Sequence, residues 1–129
     1  MKPPLPKTLL VIEDDALLRE SLVETAQSAG WTVKSSDTAE AAIALAGTFQ
    51  PTVVFSDVHL SHGDGRRVLV VLREDKKLRD CQFVLMTGDW VGASKRDSEE
   101  LAADAYLAKP FTLDEFLACL EERHRQANL

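Results

Sequence analysis

The sequence predicts an α/β fold, a (βα)5 doubly wound sheet of five parallel strands, from three observations. Short apolar runs alternate with longer stretches of helical periodicity, and that alternation implies parallel pairing through right-handed crossovers. Leu9-Leu10-Val11-Ile12 and Val53-Val54-Phe55 are continuous in apolar residues, as expected of strands covered on both faces. Polar groups stand where the runs stop, at Glu13-Asp14-Asp15, Asp57, Thr87 and Lys109, the end at which open α/β sheets place function.

The elements follow in order. After the first run, Leu18, Leu22 and Ala26 share one helical face, with Asp15 as a cap and Gly30 as the stop. Trp31-Thr32-Val33 reads as a short edge strand. Ala39, Ala42, Ile43 and Ala46 then recur at helical spacing, with Asp37 or Ser36 as the cap. Val53-Val54-Phe55-Ser56-Asp57 is bounded by Pro51 and by the Gly63-Asp64-Gly65 turn. Val68, Leu69 and Leu72 mark a third helix from near Asp64 to between Asp75 and Leu78. Phe83-Val84-Leu85-Met86 is the fourth strand, ending at Thr87-Gly88. Residues 90–103 are mostly polar and are assigned a fourth helix. Ala105-Tyr106-Leu107-Ala108 is the fifth strand, stopped by Lys109-Pro110, and Leu113, Phe116, Leu117 and Leu120 define an amphipathic C-terminal helix. In the flavodoxin-like order 2-1-3-4-5 the first and third strands flank the point where the connections reverse, so Glu13, Asp14 and Asp57 fall side by side.

A chain of 129 residues, 45% hydrophobic and 28% charged, suits one domain over residues 1–129, with residues 1–6 as a flexible Pro-rich leader. A net charge of -6 and only scattered basic pairs argue against a direct nucleic-acid surface. Cys81 and Cys119 have neither metal-ligand spacing nor disulfide density. With no signal peptide or membrane span, they point to a reducing, cytoplasmic setting.

Carboxylates crowded at one sheet edge repel each other and raise one another's pKa unless a cation is recruited. Magnesium, with manganese as the alternative, takes oxygen ligands. Asp14 and Asp57 are the expected direct ligands, Glu13 acts through water, and His59 offers its backbone carbonyl. An Asp carboxylate is also a nucleophile toward phosphorus once the phosphoryl charge is neutralised. Lys109 and Thr87 are placed to do that. Each residue alone has an ordinary structural role, as cap, strand residue or solvated amine. Their joint placement at the ends of strands one, three, four and five carries the reading.

These residues, in this order, resemble the receiver domain of two-component response regulators, CheY-like, across roughly residues 7–125. Glu13-Asp14 match the acidic pair, Asp57 the phosphoacceptor, Thr87 the hydroxyl position and Lys109-Pro110 the Lys-Pro motif. The resemblance implies a magnesium-dependent transfer from the phosphohistidine of a sensor histidine kinase or phosphotransfer protein to Asp57. It implies a switch through Thr87 and Tyr106 that alters the face of the fourth helix, fifth strand and fifth helix, where a downstream protein would dock. It also implies a cis Lys109-Pro110 bond. Leu60-Ser61 stands where Met-Pro is common, Ala103 replaces a frequent Gly, and Gly88 a common Ala. His59 and Asp89, two residues beyond Asp57 and Thr87, are candidates for tuning the phosphoryl lifetime.

The expected function is therefore that of a signalling phosphoacceptor, not an enzyme, whose own catalysis is limited to phosphotransfer and slow autodephosphorylation. It would signal through protein contacts as a single-domain regulator or phosphorelay intermediate, monomeric or dimerising on phosphorylation. Met1 and the C-terminal helix fit a single-domain regulator. A receiver from a hybrid kinase or larger regulator, and a phosphorylation-independent scaffold, are the alternatives. A phosphate-ester hydrolase would need a second acid near Asp57, and a flavodoxin-like cofactor binder a Gly-rich loop after the first strand. Asp57-Val58-His59 and Glu13-Asp14-Asp15 provide neither.

Overall fold

The computed structural model describes residues 3–88 and 103–129. Five parallel strands, β1 (Thr8–Ile12), β2 (Thr32–Ser36), β3 (Val53–Asp57), β4 (Gln82–Thr87) and β5 (Ala105–Ala108), pair in the order β2-β1-β3-β4-β5. The described helices are α1 (Ala16–Ser28), α2 (Ala39–Phe49), α3 (Gly65–Glu74) and α4 (Leu113–Ala127), the last being the fifth helix of the sequence reading. The fourth helix assigned to residues 90–103 lies outside the described residues except for Ala103, which precedes β5 in no regular element. No described helix is long and apolar enough to cross a membrane.

Alternation along the strands divides the core in two. Leu10, Ile12, Val54, Phe83 and Leu85 face α2 and α3, packing on Ala39, Ala42, Ala46, Val68, Leu69 and Leu72. Leu9, Val11, Phe55, Val84 and Met86 face the other way, onto Leu22 and Ala26 of α1 and Phe116 and Leu120 of α4. Phe55 and Phe116 meet edge-on, centroids 5.0 Å apart, a favourable geometry for two ring quadrupoles.

The caps follow the local chemistry, with two corrections. Asp15 starts α1 by accepting from the Leu18 N–H, and Gly30 at φ +93° follows its end. The cap of α2 is Thr38, whose hydroxyl accepts from the Ala41 N–H at 3.2 Å, rather than Asp37 or Ser36. The reason is strand pairing: β2 runs on to Ser36, held in register with Ile12. Leu113 is the other correction, because it sits at the first position of α4 and is 44% exposed while Phe116 and Leu120 are buried. Thr112 and Glu115 close a capping box ahead of it.

Trp31 is buried beneath α4. It donates from Nε1 to Glu121 at 3.2 Å and meets His124 edge-on at 5.4 Å. Within the predicted leader, the Leu5 N–H donates to Asn128 at 2.6 Å, and the Leu5 carbonyl lies 2.8 Å from the His124 ring.

Candidate functional site

The strand order brings the ends of β1, β3, β4 and β5 together. Glu13 and Asp14 follow β1, Asp57 ends β3, Thr87 ends β4, and Lys109 follows β5. In register, Ser56 lies beside Ile12, Asp57 beside Met86, and Thr87 beside Ala108. The predicted polar groups therefore share one sheet edge.

Lys109 is the centre of the electrostatics. Its Nζ donates to Glu13 Oε1 at 2.6 Å and to Asp57 Oδ2 at 2.9 Å. Glu13 is 1% exposed and Asp57 8%, so two buried carboxylates share one ammonium. Burial lowers the affinity of Lys109 for its proton, but the hydrogen bonds to Glu13 and Asp57 outweigh it and the net pKa is raised. Lys109 is thus a cation at neutral pH. Burial pushes Glu13 above its ordinary value, against the downward pull of Lys109 and the Asp15 N–H.

Asp14 departs from the expectation that crowding raises both members of the acidic pair. The Ser61 hydroxyl and N–H both donate to its Oδ2, at 2.6 and 2.7 Å. Those bonds favour the ionised form and hold the carboxyl below its usual range. Repulsion is not the leading influence on either residue: for Glu13 it ranks behind burial, and for Asp14 the Ser61 bonds win.

Glu13, Asp14 and Asp57 each offer a carboxylate oxygen, and these oxygens lie within 4.8 Å of one another. Oxygen donors without thiolate or imidazole suit a hard divalent cation such as magnesium, and exclude a softer metal as the natural fit. The His59 N–H donates to Asp57 Oδ1 at 3.3 Å, while its side chain is exposed.

Thr87 is fully buried, and its carbonyl accepts from the Lys109 N–H at 2.8 Å. Tyr106 is half-buried against the α2/α3 side of the core, in register with Leu85. The Lys109-Pro110 bond is cis. Asp89 lies outside the described residues.

Three supporting contacts escape sequence reasoning, although Gly65 was read above as part of a turn. The Arg19 guanidinium donates to the Glu13 carbonyl at 2.8 Å, fixing the turn out of β1. Gly65 lies so close to the end of β3 that a Cβ there would come within 2.6 Å of Ser56 Oγ and overlap the Asp57 carbonyl. Ser61, noted above only as a departure from Pro, is the partner of Asp14. Separations of 6, 8 and 47 residues leave no local motif for Arg19, Gly65 and Ser61.

A family model described as the response regulator receiver domain matches residues 9–121. The acid tolerance regulatory protein ActR of Rhizobium meliloti (strain 1021) is 31% identical over 117 residues, 91% of this chain and 59% of that protein. The phosphate regulon transcriptional regulatory protein PhoB of Pseudomonas aeruginosa is 26% identical over 115 residues, 89% of this chain and 50% of that protein. The chain thus spans only about half to three-fifths of these curated relatives. Among solved structures, the non-phosphorylated HemR receiver domain from Leptospira biflexa superposes with a TM-score of 0.82 at 30% identity, covering 93% of this chain and 94% of that one. A response regulator described as putative, from Chloroflexus aurantiacus J-10-fl, gives 0.86 at 26% identity, covering 94% and 99%.

Proposed function

The chain belongs to the response regulator receiver family, and from that membership we propose that Asp57 is its phosphoacceptor. The observation that carries this is the Lys109 ammonium bonded at once to Asp57 and Glu13 beside the Asp14 carboxylate. That arrangement sets a cation against a buried carboxylate nucleophile, where phosphoryl charge would arrive.

In the transfer, an Asp57 carboxylate oxygen forms a new O–P bond as the N–P bond of a phosphohistidine breaks. The imidazole leaves with the bonding pair and is protonated by solvent. The donor is a sensor histidine kinase or a histidine phosphotransfer protein. Lys109 pairs with a phosphoryl oxygen, and the Thr87 hydroxyl donates to another. Glu13, Asp14 and Asp57, with the His59 main-chain carbonyl, would hold magnesium or manganese, and the ion when bound neutralises phosphoryl charge. His59, two residues beyond Asp57, and Asp89, two beyond Thr87 in sequence, tune the lifetime of the acyl phosphate, whose slow loss is the domain's own autodephosphorylation.

The output is a change of surface. Thr87 and Tyr106 couple the phosphoryl group to the surface that includes β5 and α4, where a downstream protein binds. The domain acts in the cytoplasm as a single receiver unit, monomeric or dimerising on phosphorylation. The half-length match to ActR and PhoB also fits a receiver that works within a larger regulator or hybrid kinase.

The test is acetyl phosphate with and without magnesium, read by intact mass. The wild type is expected to gain one phosphoryl group in a magnesium-dependent manner, and Asp57→Asn none. Equal modification of the variant would overturn the assignment.

A further inference from the structure

We propose that Ser61 is a positioning residue that presets Asp14 for the divalent cation, an inference that rests on the metal site assigned above. Two donors from one residue, the Ser61 hydroxyl at 2.6 Å and its N–H at 2.7 Å, converge on Asp14 Oδ2. A carboxylate oxygen has two lone pairs, so this pair of bonds saturates Oδ2 and leaves Oδ1 as the oxygen that a cation can draw on. The contact crosses 47 residues of sequence and ties the turn after β1 to the loop after β3.

The donor is itself held in place. The loop from Val58 to Gly65 is closed by the Gly65 N–H donating to the Val58 carbonyl at 2.9 Å and by a bridge between His59 and Asp64. Next to Ser61, the His62 carbonyl accepts from the Ala39 N–H at the start of α2 at 3.2 Å. Ser61 thus presents its donors from a braced loop. The half-exposed Asp14 side chain, which would otherwise sample several rotamers, is fixed before any ion arrives.

Fixing a ligand in advance removes an ordering cost from binding, and residues that hold metal ligands in this way affect affinity strongly. Proline at this position could make neither contact, since it has no N–H and no hydroxyl.

The experiment is calorimetric titration of the unphosphorylated protein with magnesium alone, for wild type, Ser61→Ala and Ser61→Thr, with the metal-free melting midpoint of each recorded. Ser61→Ala loses the hydroxyl bond and keeps the N–H, and is expected to bind magnesium about fivefold more weakly while still unfolding in one cooperative transition at a slightly lower metal-free midpoint. Ser61→Thr keeps both donors and is expected to stay within about twofold of wild type. An alanine variant that binds as tightly as wild type, or tighter, overturns the role of Ser61 while leaving the metal site standing. A wild type that binds no magnesium overturns both.

Discussion

Replacing Lys109 with Met keeps the apolar stem and removes the ammonium from between two buried carboxylates. At 2.6 and 2.9 Å and an effective dielectric of about 20, each attraction is about 6 kcal/mol gross. Desolvation of the ions offsets much of that, several kcal/mol for each. Breaking a buried pair from one side costs about 3 to 5 kcal/mol. The lower end applies here, since the Lys109 side chain keeps 23% of its exposure. For a domain of this size, about 3 kcal/mol lowers the melting midpoint by about 10 °C. The loss has a pH signature. Without Lys109, Glu13 loses one of the influences that lower its pKa, so its folded value rises further above the unfolded one. A raised acid is tolerated while protonated and costs stability as pH climbs through its folded pKa. The deficit of Lys109→Met is therefore largest at neutral pH and shrinks toward the acid range. The assay is urea unfolding followed by circular dichroism, in chelator, at neutral pH and near the carboxylate range. Magnesium should then recover more stability in the variant than it adds to wild type, because the cluster has lost its internal cation. A variant as stable as wild type in chelator at neutral pH, or a deficit that grows on acidification, would refute the charge balance argued for the site.

Gly65→Ala is expected to destabilise by about 2 kcal/mol, because the new methyl must displace Ser56 and the Asp57 carbonyl. It should also slow modification by acetyl phosphate by shifting Asp57, so normal stability and normal rate together would show that the end of β3 yields easily. Glu13→Gln removes a titrating group whose folded pKa is raised by burial. Stability attributable to Glu13 is fully present below its unfolded pKa and is lost as pH rises through the folded value. The variant should therefore gain on wild type as pH increases, by an amount that unfolding curves across pH can read, and a trend in the other direction would contradict it. Asp14, whose pKa is lowered, has the opposite sign. Its contribution is present above the unfolded value and fails as pH falls through the folded one.

Strands and their order were legible because each depends on one variable, the apolar run or the right-handed crossover. β5 coincides with the run at residues 105–108, stopped by Lys109-Pro110. The placement of Glu13, Asp14, Asp57, Thr87 and Lys109 at one sheet edge was legible for the same reason, since each ends or directly follows a strand. What escaped depends on contacts between distant segments. Ser36 was read as a cap because its type suits one, yet pairing with β1 carries it into β2 and passes the cap to Thr38. Leu113 fits the helical period of α4, but period alone does not say that the first position of the helix is left 44% exposed while Phe116 is buried. Ser61 reaches Asp14 only once β1 and β3 are neighbours.

Among the described residues, the order β2-β1-β3-β4-β5 leaves β2 and β5 as edge strands. The outer side of an edge strand is a template for another chain, and proteins that must stay dispersed at high concentration blunt it. β2 does so by composition, with Thr32, Lys34 and Ser35 all exposed and Lys34 offering a charge midway along. β5 does so by length, since four residues give an approaching strand little to pair with. The sheet is thereby guarded against extension by another strand, the encounter that would end in aggregates.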